Sequence, residues 1–158
     1  GIQLSEGVWN LSKSFAVVEY GAIANTEDRQ VHRKTVRHFA LLSIIGTAVL
    51  LAILLAIPEH IWVYFLGQDF AGVKEVIVWL SPGVLVFSLS TIVSHYFTGV
   101  GRFWENTIAS GIGVPVTLVG CWLLIREYDL VGAAMTQNIS YAISLGYLFW
   151  AYRRRISQ

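Results

Sequence analysis

Four polar residues recur on one side of a helix-patterned stretch near the start of the chain: Gln3, Glu6, Asn10 and Lys13. Their spacings of three, four and three place them within one stripe of about 100° on an α-helix. Ionisable and amide side chains in a membrane helix usually face a water-filled cavity, where they can meet water, a proton or a substrate. This polar stripe is therefore predicted to line a substrate cavity; the plainer alternative is a solvated helix face.

Within the polar stripe, Lys13 is the residue expected to contact a phosphate. It lies two helical turns, about 10 Å, from Glu6, which is too far for a direct ion pair. A compact ammonium suits a phosphate, whereas the carboxylate of Glu6 would repel it. The same helix, residues 2–24, carries an apolar ridge from Leu4 to Val18 at spacings of four and three, which is expected to pack against the rest of the protein.

The composition favours a membrane protein. Of the 158 residues, 55% are hydrophobic and only 13% are charged, about half the charged share of a typical soluble domain. The single cysteine, Cys121, excludes a disulfide within the chain. No catalytic constellation, metal-ligand spacing, phosphate loop or nucleic-acid-binding pattern is present, so neither an enzyme nor a cofactor is predicted.

Four apolar segments are each about as long as the ~20 residues that cross a bilayer as a helix. They run from Phe39 to Ile57, Val76 to Ser94, Asn106 to Ile125 and Leu130 to Tyr152. Because the link 126–129 between the last two is short, these should form an antiparallel hairpin. The predicted fold is an all-α integral membrane protein: 1–24 the end of a preceding transmembrane helix, 25–38 a basic cytoplasmic link, 39–152 a four-helix lobe, and 153–158 a basic cytoplasmic tail.

Polar residues inside or beside these spans are expected to serve architecture. Arg102 should anchor the turn before the third span, and Asn106 should cap the start of that span. In the fourth span, Gln137 and Asn138 are costly in hydrocarbon unless they find partners, so one amide should bond to the third span and the other face a groove. Gly111, Gly113 and Gly120 should let a neighbouring backbone approach the third span closely.

Charge predicts the orientation, since loops rich in Lys and Arg stay in the cytoplasm. Alternating the sides of the spans gives eight basic residues on one side and two on the other. The eight are Arg29, Arg33, Lys34, Arg37, Arg102, Arg153, Arg154 and Arg155, and the two are Lys74 and Arg126. The link at 25–38 and the C-terminus are therefore predicted to be cytoplasmic, and residues 58–75 and 126–129 to lie outside.

Several short motifs resemble those of a known superfamily. They are Gly101-Arg102, Asn106, the link from Ile125 to Asp129, the run Leu130-Val131-Gly132-Ala133-Ala134, and Ile139-Ser140-Tyr141. Together they resemble the C-terminal half of polysaccharide-biosynthesis, O-antigen-type flippases in the multidrug/oligosaccharidyl-lipid/polysaccharide exporter superfamily. Arg126 stands where that family usually has Pro, and Val114-Pro115-Val116-Thr117 replaces an Asn-rich pattern.

The resemblance implies the C-terminal piece of a twelve-span, two-lobe, alternating-access transporter in a bacterial or archaeal plasma membrane. The substrate implied is an undecaprenyl-diphosphate-linked oligosaccharide, moved from the cytoplasmic to the outer leaflet. The implied partners are that lipid-linked oligosaccharide, membrane lipids, an N-terminal lobe of the same protein and polysaccharide polymerase machinery. Three alternatives stay open: a multidrug/cation antiporter using Glu6, a lipid II flippase, and a non-transporting membrane scaffold, which would leave the polar stripe unexplained.

Overall fold

The computed structural model describes residues 2–25, 29–68 and 72–156, with side chains for 13–25, 30–65, 67–68 and 72–155. In these ranges the regular structure is entirely helical, which confirms the all-α prediction. The helices are α1 (Ile2–Ala24), α2 (Arg29–Ala56), α3 (Glu59–Leu66), α4 (Val73–Gly99), α5 (Phe103–Gly120), a π-helical turn (Cys121–Ile125) and α6 (Arg126–Ile156). Stretches long and apolar enough to cross a membrane lie at Gln30–Ala56, Val73–Gly99 and Phe103–Arg155.

The third of these stretches, 53 residues long, is two helices folded against each other. The chain reverses at Asp129, whose φ of 48° and ψ of −123° are not helical. Beyond the reversal, Ser140 Oγ donates to Gly113 O at 3.1 Å and Ser144 Oγ donates to Ala109 O at 3.1 Å. These hydrogen bonds confirm the predicted antiparallel hairpin. From α2 onward, the described residues therefore contain four segments of spanning length.

Small residues set the close approach within the hairpin. A Cβ added at Gly113 would lie 2.9 Å from Ser144 Oγ, and one added at Gly120 would lie 2.6 Å from Thr136 Cγ2. Both glycines therefore act as predicted. At Gly111 an added Cβ meets nothing within 4 Å, so the prediction was wrong there.

α2 turns several of its large apolar side chains outward and two small polar side chains inward. Ser43 and Thr47 are fully buried, whereas Leu41, Ile45 and Ile53 are at least half exposed. This arrangement suits a helix that faces lipid, because small residues allow close helix packing and apolar ones meet the acyl chains. The helix begins at Arg29, so most of the predicted basic link extends it as helix.

α4 is the central helix, with α1, α2 and α6 all packed against it. The apolar core lies toward one end of the bundle, where Ile23 of α1, Val36 of α2, Phe97 of α4 and Leu148 of α6 meet. Arg33, Arg37 and Arg153 lie together at the same end, which we call the arginine end. The charge pattern predicts that this end is cytoplasmic.

The described residues between α2 and α4 include a short helix, α3. α2 ends before Pro58, and α3 follows directly. Glu59 Oε1 accepts a hydrogen bond from Gly72 N at 2.8 Å, which ties the start of α3 to the start of α4. Tyr64 and Phe65 are 84% and 77% exposed, as aromatic residues at a membrane–water interface are. Trp62, in contrast, is buried.

Candidate functional site: a polar cavity between helices

A cavity of about 570 Å³, the polar cavity, lies between α4 and α5, with α6 behind it and Lys13 of α1 at its wall. α4 and α5 each pack closely on α6 but touch each other little, which leaves the space. Its lining on α5 runs from Asn106 to Leu118, about 18 Å of helix, so it reaches from near the arginine end toward the middle of the bundle. Its volume is in the range of small-molecule sites, ~300–1,000 Å³.

The wall of the polar cavity is rich in hydroxyl groups for a space between membrane helices. Besides Lys13, its polar lining residues are Ser90, Thr91, Ser94, His95, Asn106, Ser110, Thr117, Ser140, Tyr141 and Ser144. In the part of the chain that the structure describes, no Asp or Glu lines it. The described part of this wall therefore offers hydrogen-bonding groups and the cation of Lys13.

Several of these hydroxyl groups donate a hydrogen bond to a backbone carbonyl. Thr91 Oγ1 donates to Phe87 O at 2.9 Å, and Ser140 Oγ donates to Gly113 O at 3.1 Å. Thr117 Oγ1 is within hydrogen-bond distance of the same carbonyl, at 3.0 Å, and of Ser140 Oγ, at 2.9 Å. Because a hydroxyl oxygen that donates still has two lone pairs, these groups line the cavity as acceptors. Acceptors of this kind match the hydroxyl donors of a sugar.

Asn106 and His95 form the polar group nearest the arginine end. Asn106 Nδ2 donates to Ser94 O at 3.0 Å and to Thr98 Oγ1 at 3.1 Å, so it links α5 to α4. The predicted cap was wrong: the cap position of α5 is Arg102, and no side chain caps that helix. His95 Nδ1 lies 2.9 Å from Thr91 O, which favours the tautomer that donates through Nδ1.

The polar stripe reaches the cavity at Lys13, an exposed residue that lies on its wall. The backbone of α1 is helical from residue 2, as the spacing predicted, but the side chains of Gln3, Glu6 and Asn10 fall outside the described residues. The described part of the predicted ridge is confirmed at Phe15, which packs against the core, and wrong at Val18, which is 61% exposed. Among the side chains that the structure describes on α1, the buried ones are Ala16, Glu19 and Ile23.

Glu19 is the polar residue of α1 that the sequence pattern missed. Its side chain is fully buried, and its two carboxylate oxygens have no hydrogen-bond partner among the described residues. The spacing of Ala16, Glu19 and Ile23 is that of one helical face, yet a carboxylate at its centre makes the face look polar in the sequence. The spacing of three and four residues around Glu19 was the feature of the sequence that could have indicated its buried position.

Arg102 lies at the turn between α4 and α5, where Gly101 has a φ of 74°. Its guanidinium is 2.6 Å from Glu105 Oε1, and Glu105 Oε2 accepts a hydrogen bond from Tyr147 OH at 2.8 Å. This network joins the start of α5 to α6 outside the lining of the polar cavity. We therefore infer that Arg102 stabilises the packing of the bundle.

Asn138 and Gln137 lie on α6 with different neighbours. Asn138 Nδ2 donates to Trp79 O on α4 at 2.7 Å, beside Pro82, where the helix lacks one backbone donor. Gly83 leaves room for Asn138, since an added Cβ there would collide with the Asn138 amide oxygen. The predicted bond to the third span is therefore wrong, because the partner is the second span. Gln137 lies beside the Tyr141 hydroxyl.

A bundle of spanning helices that encloses a hydroxyl-lined, lysine-bearing cavity defines a polytopic membrane protein of the transporter class. Residues 14–158 match the family model described as lipid II flippase MurJ, and the chain belongs to this family. Comparison with curated proteins and with solved structures gave no significant match. The family is one of lipid flippases, so the protein is a multi-pass membrane transporter and not an enzyme.

Proposed function

We propose that the protein moves lipid II, the lipid-linked precursor of peptidoglycan, from the cytoplasmic to the outer leaflet of the plasma membrane. The family match supports this substrate, which the sequence left open as an alternative. The finer O-antigen assignment finds no support in that match. In this proposal the arginine end lies in the cytoplasm, as the charge pattern predicts.

The observation that carries the proposal is the chemistry of the polar cavity. A lipid-linked diphospho-sugar needs a polar path for its head while its tail stays in lipid. Hydroxyl oxygens such as those of Thr91 and Ser140 accept hydrogen bonds from a sugar, and Lys13 supplies a cation for phosphate. At about 570 Å³ the cavity would take the diphosphate and the adjoining sugar, and leave the rest of the head outside it.

The competing transport function, a multidrug/cation antiporter, fits the cavity less well. A cation site in hydrocarbon needs a carboxylate, and no acidic side chain in the described part of the chain lines this cavity. Glu19 is buried in the core, away from the cavity lining. The hydroxyl-rich wall and Lys13 suit a head group that carries sugar hydroxyls and a phosphate. The side chain of Glu6, which the antiporter alternative would use, lies outside the described residues.

The test is an exchange of substrates in cells. The protein would be expressed as the sole lipid II flippase in one strain and as the sole O-antigen flippase in another. We expect it to sustain growth and to expose lipid II to a lipid-II-cleaving enzyme added outside the first strain. We expect no O-antigen at the surface of the second. Restored O-antigen without exposed lipid II would contradict the proposal.

A further inference from the structure

A second cavity, of about 1,070 Å³, lies on the other side of α4, between α2 and α6. Both helices pack on α4, but they have no extensive contact with each other, so α4 forms the back of a groove. We call this space the arginine groove. It shares no lining residue with the polar cavity, so the proposed path of the substrate head does not use it.

The arginine groove has charged and apolar parts that are separated along its length. Arg33 and Arg37, one turn apart on α2, and Arg153 on α6 lie at the arginine end. The rest of the wall is apolar apart from Tyr152, with residues such as Leu89 of α4 and Leu145 of α6. No acidic residue is among the described residues that line it.

The length of the whole arginine groove is close to that of one leaflet. On α6 the lining runs from Ala142 to Arg153, which is about 16 Å of helix. Half of a ~30 Å hydrocarbon layer is about 15 Å. A molecule with its anionic group at the three arginines would therefore place acyl chains along this wall and end near the middle of the bilayer.

From this match we propose that the arginine groove binds an anionic phospholipid of the cytoplasmic leaflet, with its phosphate at Arg33, Arg37 and Arg153. Basic pockets between membrane helices on the cytoplasmic side bind anionic head groups in this way. The planar guanidinium groups suit phosphate oxygens, to which arginine can donate two parallel hydrogen bonds. Arg153 also lies over the Phe149 ring, 4.9 Å from its centroid, which holds its stem against the apolar wall.

Bound lipid would fill the gap that α2 and α6 leave on α4 and so hold the two helices in place. The proposed lipid site is separate from the path of lipid II. The lipid-binding proposal can therefore be wrong while the proposed function is right. Its occupancy should depend on both the head-group charge and the acyl chains.

The first test removes the charges. The purified protein in neutral detergent would be titrated with phosphatidylglycerol, with phosphatidylcholine of the same acyl chains, and with inorganic phosphate, and bound lipid would be counted by native mass spectrometry. We expect phosphatidylglycerol to bind at least about tenfold more tightly than phosphatidylcholine, and the R33A/R37A/R153A variant to lose that preference. The control K34A/R154A/R155A removes three charges near the same end from residues that do not line the groove, and it should keep the preference.

The second test fills the apolar part of the groove. Gly146 lies in the wall, and an added Cβ meets nothing within 4 Å, so Gly146→Phe should fold and occupy the space of an acyl chain. It should weaken the binding of both lipids, whereas Gly111→Phe, at an equally open position outside both cavities, should not.

Equal loss in the two triple variants, or equal affinity for the two lipids, would overturn the proposal. So would inorganic phosphate binding as tightly as phosphatidylglycerol, because the acyl chains would then have no part in the site. Lipid II displacing phosphatidylglycerol from the groove at equal concentration would show a substrate site instead, and would also overturn it.

Discussion

Glu19 is a residue whose burial has a direct consequence for stability. A carboxylate without a hydrogen-bond partner is costly in an apolar core, and the structure gives this one none among the described residues. Replacing such a group with an apolar side chain of similar volume is often neutral or stabilising. The other buried residues on the same face of α1, Ala16 and Ile23, are apolar and belong to the core.

We therefore predict that Glu19→Met raises the thermal unfolding temperature of the purified protein in detergent. Glu19→Asp is the matched control: it keeps the acidic group, removes one methylene and should lower the temperature. A fall with Met as large as the fall with Asp would show that the carboxyl group has a stabilising partner.

Arg102 should matter for the amount of protein more than for its transport. Its ion pair with Glu105 is partly exposed, with the arginine side chain 53% exposed, so its loss should cost only about 0.2–1 kcal/mol. We predict that Arg102→Ala lowers the level of protein in the membrane and leaves transport per molecule close to the parent. Normal levels with abolished transport would show that Arg102 acts on the substrate.

At the scale of elements, the close packing of α5 on α6 can be tested by substitutions at two glycines of α5. Alanine in place of glycine favours a helix by about 0.5–1 kcal/mol when its methyl group has space. That space exists at Gly111, but at Gly120 the added carbon would lie 2.6 Å from Thr136 Cγ2.

We predict opposite signs: Gly111→Ala raises the unfolding temperature and Gly120→Ala lowers it. Both variants would be measured in the same detergent against the parent protein. A rise with Gly120→Ala would mean that α5 and α6 do not approach as closely as the structure shows, and a fall with Gly111→Ala would mean that the space at Gly111 is occupied.

The sequence predicted the positions of the helices better than it predicted which side of each helix packs inward. Length and hydropathy located the spanning helices and the hairpin, because lipid leaves few choices for a long apolar run. The inward side of α1 was predicted wrongly at Val18, because outward-facing residues are apolar too in a membrane helix. α3 was not predicted, since eight residues beside a proline give too short a periodic signal.

The candidate site was predictable only in part. Lys13 stood out as a charge within a helix, and the structure places it on the cavity wall. The hydroxyl lining did not stand out, because Ser and Thr are common in membrane helices as packing residues. Only the packing of α4 and α5 on α6 brings Thr91, Thr117 and Ser140 to one space.

At the scale of the whole molecule, the structure gathers basic residues at one end of the bundle, and the charge rule assigns that end to the cytoplasm. With Cys121 first replaced by alanine, single cysteines at 69 and 129 should react in intact cells with a reagent that does not cross the membrane. Cysteines at 37 and 155 should react only after the cells are opened. Asp129 is exposed, and residue 69 lies outside the described residues. The reverse labelling pattern would contradict the predicted orientation.

The central claim is that the polar cavity receives the phosphate-bearing head of lipid II, and the most direct test is lipid II flipping by variants at Lys13. At equal protein levels, Lys13→Ala should lower flipping about tenfold, as expected for a lost charged hydrogen bond, and Lys13→Arg should retain part of it. Lys13→Glu should abolish it, while Lys74→Glu, at the far end of α4, should flip like the parent. If Lys13→Glu also flipped lipid II like the parent, Lys13 could not contact the phosphate and the account would be wrong.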